Sequence, residues 1–121
     1  MSVLTLAGIG LLGGIGAVAR FLIDGAVARR VATALPVGTL AVNLSGSLAL
    51  AIIVGAGAGE EAIRLLATGL LGAYTTFSTW TFESHRLAED GAARSAALNL
   101  GASLALGIGV TWLGIELGEA L

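Results

Sequence analysis

The chain has 121 residues, room for one small unit, with 56 % hydrophobic residues, 12 % charged residues and a mean hydropathy of +0.95. A soluble domain carries about 25 % charged residues, so six arginines and eight acids exclude a water-soluble fold of this size. A net charge of −2 without lysine excludes a nucleic-acid binder, and the lack of cysteine excludes a disulfide framework, a thiolate nucleophile and a Cys-based metal site.

Charged side chains are absent from 1–19, 31–59, 65–82 and 95–115 and cluster between these stretches. A helix crosses a bilayer with about 20 mostly apolar residues. The sequence therefore predicts an all-α membrane protein, one domain over 1–121, with spans at about 3–23, 36–58, 62–87 and 92–117. Barrel strands would alternate in polarity, and these runs do not.

The first segment lacks the basic start of a signal peptide and reads as a permanent helix. Gly8, Gly10 and Gly13 spell a dinucleotide-type G-x-G-x-x-G, but that motif works at a strand-to-helix turn and here lies inside an apolar span. Helix packing is the better reading. Gly10/Gly14, Gly55/Gly59 and Gly114/Gly118 have the four-residue spacing of close helix contacts in lipid. Arg20 ends the apolar run, where it either snorkels to the interface or draws anions to a vestibule.

Pro36 opens the second helix, a position proline tolerates. Within that helix Thr39, Asn43 and Ser47 recur every four residues and share a face. Asn43-Leu44-Ser45 matches a glycosylation sequon that no glycosylating enzyme would reach inside a span. In the third segment Thr75-Thr76-Phe77-Ser78-Thr79-Trp80-Thr81 places five hydroxyls in seven residues. They cannot all face one neighbour, and they compete for backbone hydrogen bonds, so a break is expected there. Non-helical backbone at this depth must be buried in protein or line a cavity. His85 reads as an interfacial residue, and Glu89-Asp90-Gly91 as a turn. Ser95, Asn99, Ser103, Gly107 and Thr111 form a second polar stripe on the fourth helix. Such stripes act either as interhelical glue or as a polar pathway.

Three runs carry a family resemblance: Gly13-Gly14-Ile15-Gly16-Ala17-Val18-Ala19-Arg20-Phe21, Pro36-Val37-Gly38-Thr39-Leu40-Ala41-Val42-Asn43-Leu44-Ser45-Gly46, and Gly69-Leu70-Leu71-Gly72-Ala73-Tyr74-Thr75-Thr76-Phe77-Ser78-Thr79-Trp80. Together they resemble the Fluc fluoride channel family, also called CrcB. The resemblance implies a dual-topology dimer of antiparallel subunits with two narrow fluoride pores, exporting fluoride passively across the cell membrane. It implies that Asn43 is the pore asparagine, Arg20 the arginine near the entrance, and Phe77 the first of two aromatics along the anion path. Ser78 and Thr79 would follow as hydroxyl donors, with Asn99 and Ser103 on the fourth-helix track. Gly72 and Thr75 would offer backbone carbonyls to a structural sodium ion at the dimer centre. Trp80 departs from the pattern, which has a second phenylalanine there.

The residue chemistry suits such a task. Fluoride is strongly hydrated, so crossing lipid requires replacement donors, which neutral amides and hydroxyls supply. Aromatic edges carry partial positive charge, and a site that binds too tightly would not conduct. Two other classes compete. A small dual-topology proton-coupled multidrug transporter needs an acid inside a span, and Asp24 and Glu83 lie only at span ends. A non-conducting membrane scaffold explains the glycines but not three polar surfaces. Orientation stays open as well. The face with the first and third loops carries Arg29, Arg30, Arg86 and Arg94, and the opposite face only Arg64. That bias favours termini outside and leaves a homodimer and a heterodimer with an oppositely oriented sister subunit both open.

Overall fold

The computed structural model describes residues 1–121 and is helical throughout. Helix α1 spans Val3–Arg30, α2 Val37–Gly55 and α3 Glu60–Ala62. A π-wound segment, π1, follows at Ile63–Leu71, then α4 at Gly72–Tyr74, α5 at Phe77–Glu89 and α6 at Ala93–Glu119. Three helices, α1, α2 and α6, are each long and apolar enough to cross a membrane. The fourth traverse is the bent series α3–π1–α4–α5. This is a membrane protein of three continuous helices and one broken one.

The helix ends follow local chemistry. Ser2 caps α1, its Oγ accepting from the Thr5 N–H at 3.0 Å. The first helix was expected to stop near 23 but runs on to Arg30, because the charges from Asp24 onward end the apolar stretch and not the backbone ladder. The second was expected to reach 58. It stops at Gly55, and Gly57 turns the chain with φ +72°. Gly91, with φ +82°, makes the expected turn before α6.

Contacts at both ends fix the order of packing. At one end the Asp24 carboxylate lies against Gly38, so the end of α1 meets the start of α2. At the other, Thr5 Oγ1 donates to Glu61 at 2.7 Å and ties the start of α1 to α3. The termini and the second loop therefore share one face.

Close backbone approach holds the long helices together. A methyl group on Gly114 would stand 2.6 Å from Ala51 Cβ and 2.9 Å from the Leu48 carbonyl, so α2 and α6 can meet only over glycine. Gly55 and Gly118 lie in the same seam. Across α1 and π1, Gly16 faces the Leu70 carbonyl and Gly69 faces Ile9, whose carbonyl would be 3.1 Å from an added methyl. Within the protomer Gly10, Gly14 and Gly59 make no such contact, since an added methyl at these three meets nothing within 4 Å. Gly16→Val should consequently lower the thermal stability of the purified protein by about 1–3 kcal/mol, the usual range for overpacking. Gly10→Ala should stay within about 0.5 kcal/mol of the parent. Equal melting shifts for the two would overturn this seam.

Candidate functional site

The break falls where the hydroxyl-rich run predicts it. Thr75 (φ −79°, ψ 156°) and Thr76 (φ −145°, ψ 118°) are extended, which stops α4 and lets α5 begin at Phe77. Thr76 caps the new helix: its Oγ1 accepts from the Thr79 N–H at 3.1 Å and donates to Thr79 Oγ1 at 3.0 Å. Thr75 turns its own hydroxyl back to the Leu71 carbonyl at 3.0 Å.

Helix α2 receives the break residue by residue. Asn43 grips Thr76 on both sides of its backbone: Nδ2 donates to the Thr76 carbonyl and Oδ1 accepts from the Thr76 N–H, each at 2.8 Å. Ser45 Oγ and the Tyr74 hydroxyl pair at 2.9 Å. Gly46 makes room for the Thr75 side chain, with Tyr74 Cδ2 also 3.1 Å from where a methyl would stand. The sequon-like Asn43-Leu44-Ser45-Gly46 is thus the seat of the interrupted helix. Backbone groups that helix geometry leaves without partners in lipid find them on one asparagine.

An open cleft of about 300 Å³ lies beside this seat. It brings together Asn43 with Gly72, Thr75, Phe77 and Trp80 from the expected set, and adds Thr76 and Ser47. The rings of Phe77 and Trp80 meet edge to face, with centroids 5.4 Å apart and planes at 68°. Phe77 is 74 % exposed and projects from the protomer. Asn43 has one N–H beyond the bond to Thr76, so its amide can brace the backbone and still donate once.

The other expected residues lie around this cleft. Thr79 lines a second opening with Pro36, Phe82, Glu83 and Arg86. Ser78 is exposed, its Oγ 3.4 Å from Thr76 Oγ1. Thr39 is 2 % exposed, and its hydroxyl faces the Glu83 carboxylate across α2 and α5; Arg20 Nε and Ser103 Oγ are buried without a partner. The two polar stripes converge on a groove of about 500 Å³, where Ser47 from α2 meets Ser103, Gly107 and Thr111 from α6. Asn99 sits elsewhere: buried at the α5–α6 contact, its Nδ2 donates to Ser84 Oγ at 2.8 Å. Sequence reasoning passed over Ser84 and Tyr74, and only the pairing of Tyr74 with a serine across two helices reveals its part.

Residues 7–115 match the family described as CrcB-like protein, Camphor Resistance (CrcB). The chain belongs to the CrcB family. It is 46 % identical over 112 residues to fluoride-specific ion channel FluC 2 of Mycolicibacterium paratuberculosis, covering 93 % of this chain and 92 % of that protein. It is 48 % identical over 107 residues to FluC 2 of Mycobacterium tuberculosis, covering 88 % and 85 %. FluC of Geobacter sulfurreducens is 42 % identical over 116 residues, covering 92 % and 94 %. CrcB proteins are ion channels and not enzymes. The clamped break and its cleft lie within the matched residues of this CrcB chain.

Proposed function

We propose that this chain forms a fluoride channel of the cell membrane, which lets fluoride leave the cytoplasm passively. The observation that carries the reading is the cleft beside the broken helix, where an asparagine amide and two aromatic rings converge on one non-helical turn. These are weak neutral donors and edges, suited to an anion that must shed water and then move on. Asn43 would donate its remaining N–H, and Phe77 and Trp80 would offer ring edges. Ser78, Thr79 and Thr39 would continue the path toward the face with the first and third loops, with Arg20 as the charge near its mouth. Ser47 and Ser103 would extend it along the α2–α6 groove. Fluoride enters a cell as neutral HF and ionises there, so its own gradient drives export and no energy-coupling site is required.

The cleft is open on one side, and Phe77 is exposed, as half of a shared pore would be. We infer a dimer of antiparallel protomers, with a sodium ion held between them by backbone carbonyls of Gly72 and Thr75. The donor set fits: Gly72 brings no side chain, Thr75 is extended with its hydroxyl turned away, and both line the cleft. A bound sodium would supply a fixed positive charge and brace the two breaks against each other.

Fluoride efflux from liposomes holding the purified protein tests the function. Rapid passive fluoride release without chloride release or proton-coupled drug uptake is expected. Chloride release at the same rate, or no release at all, would overturn the proposal.

Orientation has its own test. Arg29, Arg30, Arg86 and Arg94 share one face and Arg64, paired with Glu60, the other. Four to one is a strong positive-inside bias, yet this chain carries a full seat and cleft, so we expect a homodimer that inserts both ways. Cysteines placed at Ser2 and Gly91 should both be labelled from outside intact cells. Labelling at Ser2 alone would show a fixed orientation that needs a sister subunit.

A further inference from the structure

Trp80 lines the cleft, and an indole at that place has a chemical consequence. A phenyl edge offers only C–H groups, whereas indole adds an N–H donor. In an anion path that donor would hold the ion longer, and conduction needs sites weak enough to leave. The structure shows where this N–H goes. Trp80 Nε1 donates to the backbone carbonyl of Asn99 at 3.4 Å. Asn99 Nδ2 donates to Ser84 Oγ at 2.8 Å, and Ser84 Oγ donates to the backbone carbonyl of Trp80, also at 2.8 Å. The three bonds close a ring from the Trp80 side chain to the Trp80 backbone. Ser84 is 4 % exposed and Asn99 6 % exposed, so water does not compete for these bonds. Trp80 itself lines the cleft and meets Phe77 edge to face.

We propose that Ser84 and Asn99 are positioning residues that withdraw the Trp80 indole N–H from the cleft and leave only aromatic edges facing the anion. The ring lets a tryptophan present an edge without a strong donor. This assignment gives Asn99 a supporting part beside the cleft and rests on the fluoride-channel reading. It accounts for a serine at 84, one turn beyond Trp80, between Glu83 and His85-Arg86.

The test uses the full-length protein in liposomes with Trp112→Phe as the parent, so that Trp80 is the only tryptophan. Ser84→Ala is compared with the parent, and then with itself in a Trp80→Phe background. With Trp80 present, Ser84→Ala should lower both the maximal efflux and the half-saturating fluoride concentration by about fivefold, as a stickier site requires. Trp80 emission should also shift to the red. With Phe at 80, adding Ser84→Ala should change neither kinetic quantity. Asn99→Ala should reproduce the Ser84→Ala pattern and serves if that variant does not fold. Equal loss of efflux in both backgrounds, with half-saturation unmoved, would overturn the proposal and leave Ser84 as helix packing. If the parent releases no fluoride, the channel reading fails, while emission still reads the ring: an unshifted spectrum for Ser84→Ala overturns it in either case.

Discussion

Asn43→Asp is expected to reduce fluoride efflux at least about 100-fold, equivalent to about 2.8 kcal/mol at 1.4 kcal/mol per factor of ten. The substitution is nearly isosteric, so the loss comes from hydrogen-bond polarity. Asn43 uses Oδ1 to accept from the Thr76 N–H and one N–H of Nδ2 to hold the Thr76 carbonyl, leaving its second N–H free to donate to an anion. An ionised aspartate has no donor. It would set a carboxylate oxygen against the Thr76 carbonyl and place a negative charge beside the path. A protonated aspartate has one O–H, which can hold the Thr76 carbonyl or the ion but not both. Either form lacks a donor that the asparagine supplies. Leaving the Thr76 carbonyl unpaired costs about 1–3 kcal/mol, so the melting temperature should fall along with the flux. Near-parental efflux from a folded Asp variant would remove Asn43 from the pathway.

The grip of Asn43 on Thr76 marks how far the sequence could be read. Periodicity places it on a polar stripe with Thr39 and Ser47, and hydroxyl crowding predicts a break within Thr75–Thr81. Both are properties of one segment at a time. That the asparagine grips the break is a relation between two helices, which no spacing within either reveals. The winding of Ile63–Leu71 was hidden for the same reason. It widens to i→i+5 bonds, as in the Gly72 N–H bond to the Ala67 carbonyl, along the segment where Gly16 and Gly69 bring α1 close. Such segments are recurrent at functional sites.

Glycines show the limit most sharply. Nineteen were visible, and spacing proposed three pairs. Gly114/Gly118 and Gly55 do seat α2 on α6, while Gly10 and Gly14 face open space and Gly16 makes the α1 contact instead. Small-residue spacing recurs often in a chain this rich in glycine, so it cannot say which face a helix turns inward. Asn99 illustrates the converse. Its stripe left interhelical glue and a polar pathway both open, and one of its amide N–H groups goes to Ser84 on α5.

Phe77→Ile should cut fluoride efflux by about tenfold or more while costing the protomer no more than about 0.5–1.5 kcal/mol, the worth of one aromatic pair. That separation follows from where the ring sits. Phe77 is the first residue of α5, where a β-branched side chain costs little helix propensity. The ring is 74 % exposed, and its aromatic contact is with Trp80. Losing that edge-to-face pair removes about 0.5–1.5 kcal/mol beyond area burial. Isoleucine keeps an apolar surface for a neighbouring subunit but has no ring edge with partial positive charge to meet an anion. Trp80→Ile should differ in kind. It deletes a ring edge and also frees the Asn99 carbonyl from its indole bond, so stability should fall together with flux. Measuring efflux and melting temperature on both variants checks the contrast. Parental efflux from Phe77→Ile would mean that ring 77 serves subunit packing, and the anion path would then have to run along Ser47 and the α2–α6 groove without it.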